Sequence, residues 1–168
     1  MTKCTKKTTV SNILNIIDED IIITDPCYII RKDNDDDWDK CYCGDNMEAL
    51  GLTKYLVSTT LYGDWSCTTF DYEGKPIGEF CADAGLVGVF LLDEVLKYNP
   101  DFDYHITKPW TTTLIKNFTG KVWIEERHIE GEYDEDGYNY KKGDKWEDDV
   151  ISVVGEGNIN FYTIQTGL

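Results

Sequence analysis

Three aspartates at chain turns are the residues whose types and spacing could carry chemistry. Asp25 precedes a proline, Asp64 follows a glycine, and Asp83 is followed by Ala and Gly. If the fold brings them together, their oxygens could bind Mg²⁺ or Ca²⁺, or supply a general acid and a general base. Alternatively, each carboxylate bonds nearby backbone N–H groups and fixes its own turn, which is the interpretation we favour. A divalent cation is the one cofactor that this pattern suggests.

The Asp25 turn interrupts the most apolar run of the chain, residues 21–30. Pro26 has no N–H group and restricts the preceding residue to extended conformations. A thiol and a phenol, Cys27 and Tyr28, follow this kink. No Cys–His signature accompanies Cys27, so we interpret its thiol as packing and keep Tyr28 as a candidate ligand-binding residue.

Aromatic and amide side chains form a second candidate set. Trp38 and Trp65 lie in polar loops, where they could stack on a base, a sugar or a peptide side chain, or cover the ends of a sandwich. Gln165 directly follows the last predicted strand and could donate to a ligand or satisfy a neighbouring strand edge. The predicted ligand-binding residues are Asp25, Tyr28, Trp38, Asp64, Trp65, Asp83 and Gln165.

The chain is strongly acidic, with 32 Asp and Glu against 16 Lys and Arg and a net charge of −16. Such a field repels nucleic-acid backbones and anionic membranes. The expected partners are therefore a small-molecule ligand or another protein, and an oligomer stays open. The acidic runs 33–39 and 134–137 lack the complete EF-hand pattern, so we interpret them as solvated loops.

The six cysteines predict reduced thiols, because no leader sequence precedes them. One residue separates Cys41 from Cys43, which is too few for a zinc site of the usual spacing. The apolar run 21–30 is too short to span a bilayer. These features predict a cytoplasmic protein, in the host cytosol if a phage encodes it.

The elements that must position these residues are mainly strands. A length of 168 residues and a hydrophobic content of 41% suit a single β-rich domain over residues 1–168. Two short helices are predicted at 45–51 and 94–98, the second capped by Asp93. We predict a mainly β fold, an antiparallel sandwich or rolled sheet with two short helices. The predicted strands are 10–17, 21–30, 55–61, 66–72, 77–90, 121–129, 138–146, 150–154 and 158–164, and 110–118 is ambiguous between strand and helix. Strands 121–129 and 138–146 could pair as a long hairpin across the acidic tip 131–137.

Four stretches carry a resemblance: residues 24–28, 62–64, 83–90 and 157–168. Through their Asp-Pro-Cys-Tyr turn, Tyr-Gly-Asp turn and Asp-x-Gly strand, the chain resembles a group of small uncharacterised proteins from bacteria and their phages. The resemblance spans most of the chain except the two acidic loops. It transfers no functional residue, and it implies a phage or mobile-element context in which compact proteins block or sequester host components.

Three functions are compatible with the sequence. The favoured one is a non-enzymatic binding protein that sequesters a small ligand, such as a signalling nucleotide, or inhibits a host defence protein. One alternative is a metal-dependent hydrolase that uses Asp25, Asp64 and Asp83. The other alternative is an acidic interaction protein that docks on a basic partner.

Overall fold

The computed structural model describes residues 3–31, 36–37, 47–61, 63–103 and 110–165, and only the backbone of residues 3–7. Antiparallel strands dominate this part of the chain, which confirms the predicted mainly β class. The elements are β1 (Lys3–Thr9), β2 (Leu14–Thr24), β3 (Tyr55–Thr59), β4 (Ser66–Asp71), β5 (Pro76–Cys81), β6 (Leu86–Leu91), α1 (Leu92–Tyr98), β7 (Thr112–Glu132), β8 (Lys145–Gly157) and β9 (Phe161–Gln165), with 3-10 turns at Pro26–Tyr28, Met47–Leu50 and Pro100–Phe102.

The nine strands form a single sheet that curls on itself without closing. Its order is β3-β6-β2-β7-β8-β9-β4-β5, and β1 pairs with β7 beyond the start of β2. Although β5 and β7 are far apart in this order, Thr113 of β7 donates to the Glu79 carbonyl of β5 at 3.3 Å. The hydroxyl of Thr113 also lies 2.9 Å from that of Thr69 on β4. The β4–β5 end of the sheet therefore folds back over β7.

Alternating residues of β2 fill two separate cores. Ile21 and Ile23 belong to the main core inside the roll, to which seven other strands contribute. Ile22 points to the opposite face and packs in a smaller cluster under α1 with Val95 and Phe102. Because side chains alternate along a strand, a continuous apolar run is expected where both faces are buried.

The apolar run 21–30 changes from strand to turn at the proline. The strand ends at Thr24, and Pro26–Tyr28 forms a 3-10 turn. Ile29 and Ile30 are therefore not in a strand, although both are buried in the cluster under α1. The proline supplies no N–H group to a ladder, which explains why the predicted strand does not continue.

One of the two predicted helices is an α-helix and the other is a 3-10 turn. The helix α1 begins before the predicted start, with Leu91 at its N-cap and no side-chain cap bond, so the predicted Asp93 cap is wrong. In the other region, Met47–Leu50 forms a 3-10 turn that ends at Gly51, whose φ is +90°. Residues 45–46 lie outside the described residues.

The hairpin predicted across the acidic tip is present with a different partner strand. β7 pairs with β8, and Gly131 lies directly opposite Trp146. A Cβ atom on Gly131 would lie 2.3 Å from the indole ring of Trp146, so the glycine provides the space that the ring occupies. The predicted strands 138–146 and 150–154 are wrong in their bounds, because β8 is one strand of 13 residues.

Candidate functional site

Asp25 fastens the turn after β2 to the loop before β6. Its side chain is fully buried, and Oδ1 accepts a hydrogen bond from the backbone N–H of Cys27 at 2.9 Å. Oδ2 accepts from the backbone N–H groups of Ala84 at 2.8 Å and Leu86 at 3.2 Å. Burial raises the pKa of Asp25, and the three N–H donors oppose that rise. The bond to Cys27 matches the turn-fixing role expected of an aspartate before proline, whereas the bonds to Ala84 and Leu86 tie this turn to a distant loop.

Asp83 lies in the same corner of the molecule and binds the phenol that follows the Asp25 turn. The hydroxyl of Tyr28 donates to Asp83 Oδ2. Tyr28 is half-buried, whereas Asp83 is exposed. Burial and then the hydrogen bond to Asp83 raise the pKa of Tyr28, so the phenol stays protonated and remains a donor.

Asp64 lies on a neighbouring turn, and its side chain is exposed. The backbone N–H of Thr60, which begins this turn, donates to the carbonyl of Gly85 at 2.8 Å. A Cβ atom on Gly85 would lie 3.3 Å from Gly63 Cα. The turn that carries Asp64 therefore packs backbone to backbone against the loop that carries Asp83.

The three aspartates share one region without forming a metal-binding group. Within the described ranges, one set of His, Cys, Asp and Glu side chains brings three ligand atoms within 4.8 Å of one another, and it lies on the β7–β8 hairpin. Asp25, Asp64 and Asp83 are outside that set. Their proposed use as metal ligands therefore gains no geometric support, and their use as catalytic acid and base stays a prediction.

The three cysteines whose side chains are described are free thiols with raised pKa values. Burial raises the pKa of Cys67 to about 12. Burial is the main cause of the raised pKa of Cys27, and the charge of Asp25 adds to it. Burial is also the main cause of the raised pKa of Cys81, and the charge of Asp83 adds to it. A protonated thiol is a weak nucleophile. These thiols therefore fit the packing role predicted for Cys27.

The remaining predicted ligand-binding residues contribute to packing where they are described. Trp65 is half-buried against the main core, and its carbonyl accepts from the Ala82 N–H at 2.8 Å. Gln165 is buried on β9, which lies between β8 and β4. Its Oε1 accepts from the Ile151 N–H at 3.1 Å, and its Nε2 is buried with no hydrogen-bond partner within the described chain. Trp38 lies outside the described residues.

A cluster that sequence reasoning missed lies on the β7–β8 hairpin. His128 is directly opposite Asp149, and Glu130 is directly opposite Glu147. His128 Nδ1 lies 2.8 Å from Asp149 Oδ1. His128 Nε2 lies 3.2 Å from Glu147 Oε2 and 3.9 Å from Glu130 Oε1. The hydrogen bond to Asp149, followed by that to Glu147, raises the pKa of His128.

The signal for this cluster is a pair of alternating motifs, His128-x-Glu130 and Glu147-x-Asp149. Residues two apart on a strand share a face, and opposite residues of paired strands lie side by side. The predicted pairing with residues 138–146 left Glu147 and Asp149 beyond the hairpin. The correct register was needed to bring the four side chains together.

No protein-family model, curated protein or solved structure matches this chain. The resemblance of its turn motifs to small bacterial and phage proteins stays a prediction. In the parts of the chain that the structure describes, no helix is long and apolar enough to cross a membrane.

Proposed function

We propose that this protein is a non-enzymatic binding protein that docks the acidic arm, residues 125–149, on a basic surface of another protein. The observation that supports the proposal is the charge of this segment, which holds eleven Asp and Glu against four Lys and Arg. Its net charge of −7 is a large share of the −16 of the whole chain. The acidic residues are Glu125, Glu126, Glu130, Glu132, Asp134, Glu135, Asp136, Asp144, Glu147, Asp148 and Asp149.

The tip of the arm is braced by its own contacts. The backbone N–H of Tyr133 donates to the Asp144 carbonyl at 3.0 Å, and the N–H of Lys142 donates to Asp136 Oδ1 at 2.9 Å. The rings of Tyr133 and Tyr140 stack with their centroids 3.7 Å apart. A surface that is ordered before binding loses less conformational entropy on association.

The tip also presents an aromatic side chain to solvent. Tyr138 is 99% exposed, and three acidic residues, Asp134, Glu135 and Asp136, lie within four positions of it in the sequence. Tyrosine is enriched at protein interfaces, because its ring buries a large apolar area while its hydroxyl can hydrogen-bond. Acidic residues near an aromatic side chain suit a partner that has a basic surface and a pocket for the tyrosine ring.

The charge pairing of the arginines disfavours an anionic small ligand such as a nucleotide. Arg127 is buried, and its Nη2 lies 3.5 Å from Glu125 Oε1. Arg31 Nη2 lies 3.6 Å from Asp37 Oδ2. Binding a phosphate at either arginine would bring it beside a carboxylate in an already acidic protein. A basic protein is therefore the better partner, and the resemblance makes a host defence protein the first class to test.

The experiment compares two double variants that remove the same charge from different places. An oligo-lysine peptide serves as the cationic probe and is titrated calorimetrically at low ionic strength. Asp134→Asn with Glu135→Gln neutralises the tip, and Glu48→Gln with Glu73→Gln neutralises two exposed carboxylates elsewhere. We expect about fivefold weaker binding for the tip variant, from about 0.5 kcal/mol for each exposed charge, and a smaller change for its control.

Two results would contradict the proposal. Equal weakening by both double variants would mean that the probe senses net charge alone. Binding by the unaltered protein that resists added salt would also contradict it, because contacts between exposed charges are screened.

A further inference from the structure

The hairpin cluster combines an imidazole nitrogen with two carboxylates on one face of a paired strand. Glu130 and Glu147 are direct cross-strand neighbours, and His128 lies two residues from Glu130 on the same face. One ligand atom from each of the three side chains lies within 4.8 Å of the other two. We propose that His128, Glu130 and Glu147 bind a divalent transition-metal ion of the zinc type, with Asp149 as a positioning residue.

The distances around His128 Nε2 fit such an ion. With metal–ligand bonds of about 2.1 Å, adjacent ligands of a tetrahedral site are about 3.4 Å apart. The Nε2 atom lies 3.2 Å from Glu147 Oε2 and 3.9 Å from Glu130 Oε1. Small side-chain rotations can therefore bring all three atoms to bonding distance from one ion. Because these side chains are partly exposed, water can supply the fourth ligand.

Asp149 determines which imidazole nitrogen is available to a metal. Its Oδ1 lies 2.8 Å from His128 Nδ1. A proton held on Nδ1 and donated to this carboxylate leaves Nε2 as the nitrogen that can give up its own proton and bind an ion between the two glutamates. Metal-binding histidines commonly donate their second N–H group to a carboxylate in this way, which fixes both the tautomer and the ring orientation.

The opposed glutamates also favour a positive ion between them. Like charges directly opposite one another destabilise a strand pair, and Glu130 faces Glu147. A divalent cation removes this repulsion.

The ligand set selects the class of metal. Imidazole nitrogen suits zinc and its neighbours in the first transition row, whereas Ca²⁺ and Mg²⁺ prefer sites made entirely of oxygen. We therefore expect Zn²⁺ to bind and Mg²⁺ at the same concentration to have little effect. This inference does not rest on the proposed docking function.

The site is tested by calorimetric titration of the chelator-treated protein with Zn²⁺. Glu130→Gln and Glu132→Gln are the matched variants. Both substitutions remove one exposed carboxylate from the same face of β7, but only Glu130 belongs to the ligand set. We expect at least tenfold weaker Zn²⁺ binding for Glu130→Gln and less than a twofold change for Glu132→Gln. For His128→Gln we expect binding at this site to be lost.

The role of Asp149 has its own variants. Asp149→Ala should weaken Zn²⁺ binding about tenfold, as removal of an outer hydrogen-bond partner does at other metal sites. Asp149→Asn retains an oxygen that can accept from Nδ1–H and should recover part of the loss. Equal affinities for the two variants would contradict a positioning role.

Nitrogen-15 spectra of the imidazole rings identify the ligand directly, because the chain has two histidines. We expect Zn²⁺ to shift the Nε2 signal of one ring, the ring whose signals disappear in His128→Gln. No heat and no shift would overturn the proposal. Unchanged Zn²⁺ affinity in His128→Gln would also overturn it, because the ion would then be bound elsewhere, for example by thiols.

The two proposals can fail separately. Oligo-lysine binding measured with a chelator present does not depend on a metal. If that binding persists while Zn²⁺ does not bind, only the metal inference fails. If Zn²⁺ binds at His128 while the tip variant and its control bind the peptide equally, only the docking function fails.

Discussion

The buried carboxylate of Asp25 accepts a hydrogen bond from the backbone N–H of Ala84, 59 residues further along the chain, at 2.8 Å. The same side chain bonds the N–H groups of Cys27 and Leu86. The conspicuous Asp-Pro turn thus joins the end of β2 to the start of β6. The carboxylate of Asp25 therefore has a structural role in this connection.

Loss of this carboxylate should be costly for stability. Asp25→Ala leaves three backbone N–H groups without their acceptor, so we expect the free energy of unfolding to fall by about 3 kcal/mol. Asp83→Ala is the control, because it removes an exposed carboxylate that bonds Tyr28 and should cost about 1 kcal/mol or less. Denaturant unfolding measures both. An Asp25→Ala variant as stable as Asp83→Ala would show that the fold does not depend on this connection.

The curl of the sheet predicts coupling between Gly78 and Thr113. A Cβ atom on Gly78 would lie 2.7 Å from both Cγ2 and Oγ1 of Thr113. Gly78→Ala should therefore destabilise the protein by about 2 kcal/mol through overpacking. Thr113→Ala removes both crowded atoms, so Gly78→Ala should cost less in that background. Additive effects in this double-mutant cycle would argue against the observed contact between β5 and β7.

Burial of Cys67 predicts a specific loss of stability at alkaline pH. The pKa of its thiol rises from 9.0 to about 12 on folding, so the unfolded chain loses its proton first. The stability linked to this thiol is complete below pH 9 and is lost as the pH rises towards 12, by up to about 1.4 kcal/mol per pH unit.

Comparison with Cys67→Ala isolates this effect from other groups that titrate at high pH. The difference in unfolding free energy between the two proteins should be constant below pH 9. Above pH 9 the protein with Cys67 should lose stability relative to the variant. A difference that stays constant to about pH 11 would mean that the folded thiol ionises as readily as the unfolded one.

Local pattern was enough to predict the fold class and the bond of Asp25 to its own turn, but not the bonds of Asp25 to Ala84 and Leu86. Apolar segments separated by turn residues indicated an antiparallel sheet, and Asp before Pro indicated a carboxylate bonded to its own turn. The segment 110–118 is ambiguous from sequence because its buried residues do not alternate regularly. The structure shows the reason: Asn117 has a φ of +51°, and the alternation of buried residues along β7 shifts at this point.

The cluster on the β7–β8 hairpin could not be predicted from local pattern, because it depends on the pairing of distant residues. The acidic run Glu147–Asp149 is typical of a loop, yet it lies in β8. Its three residues are opposite Glu130, Ile129 and His128, in that order. Its side chains become a cluster only when the register is known. The acidic arm was visible as sequence, whereas the stacked tyrosines that order its tip required the structure.

The most direct test of the docking function is the map of amide shifts when ¹⁵N-labelled protein is titrated with oligo-lysine peptide at low ionic strength. We predict that the largest changes fall in the acidic arm, at and around Tyr138, and that they disappear when salt is added. The largest changes at the corner formed by Asp25, Tyr28 and Asp83, or equal changes over the whole sheet, would contradict the account.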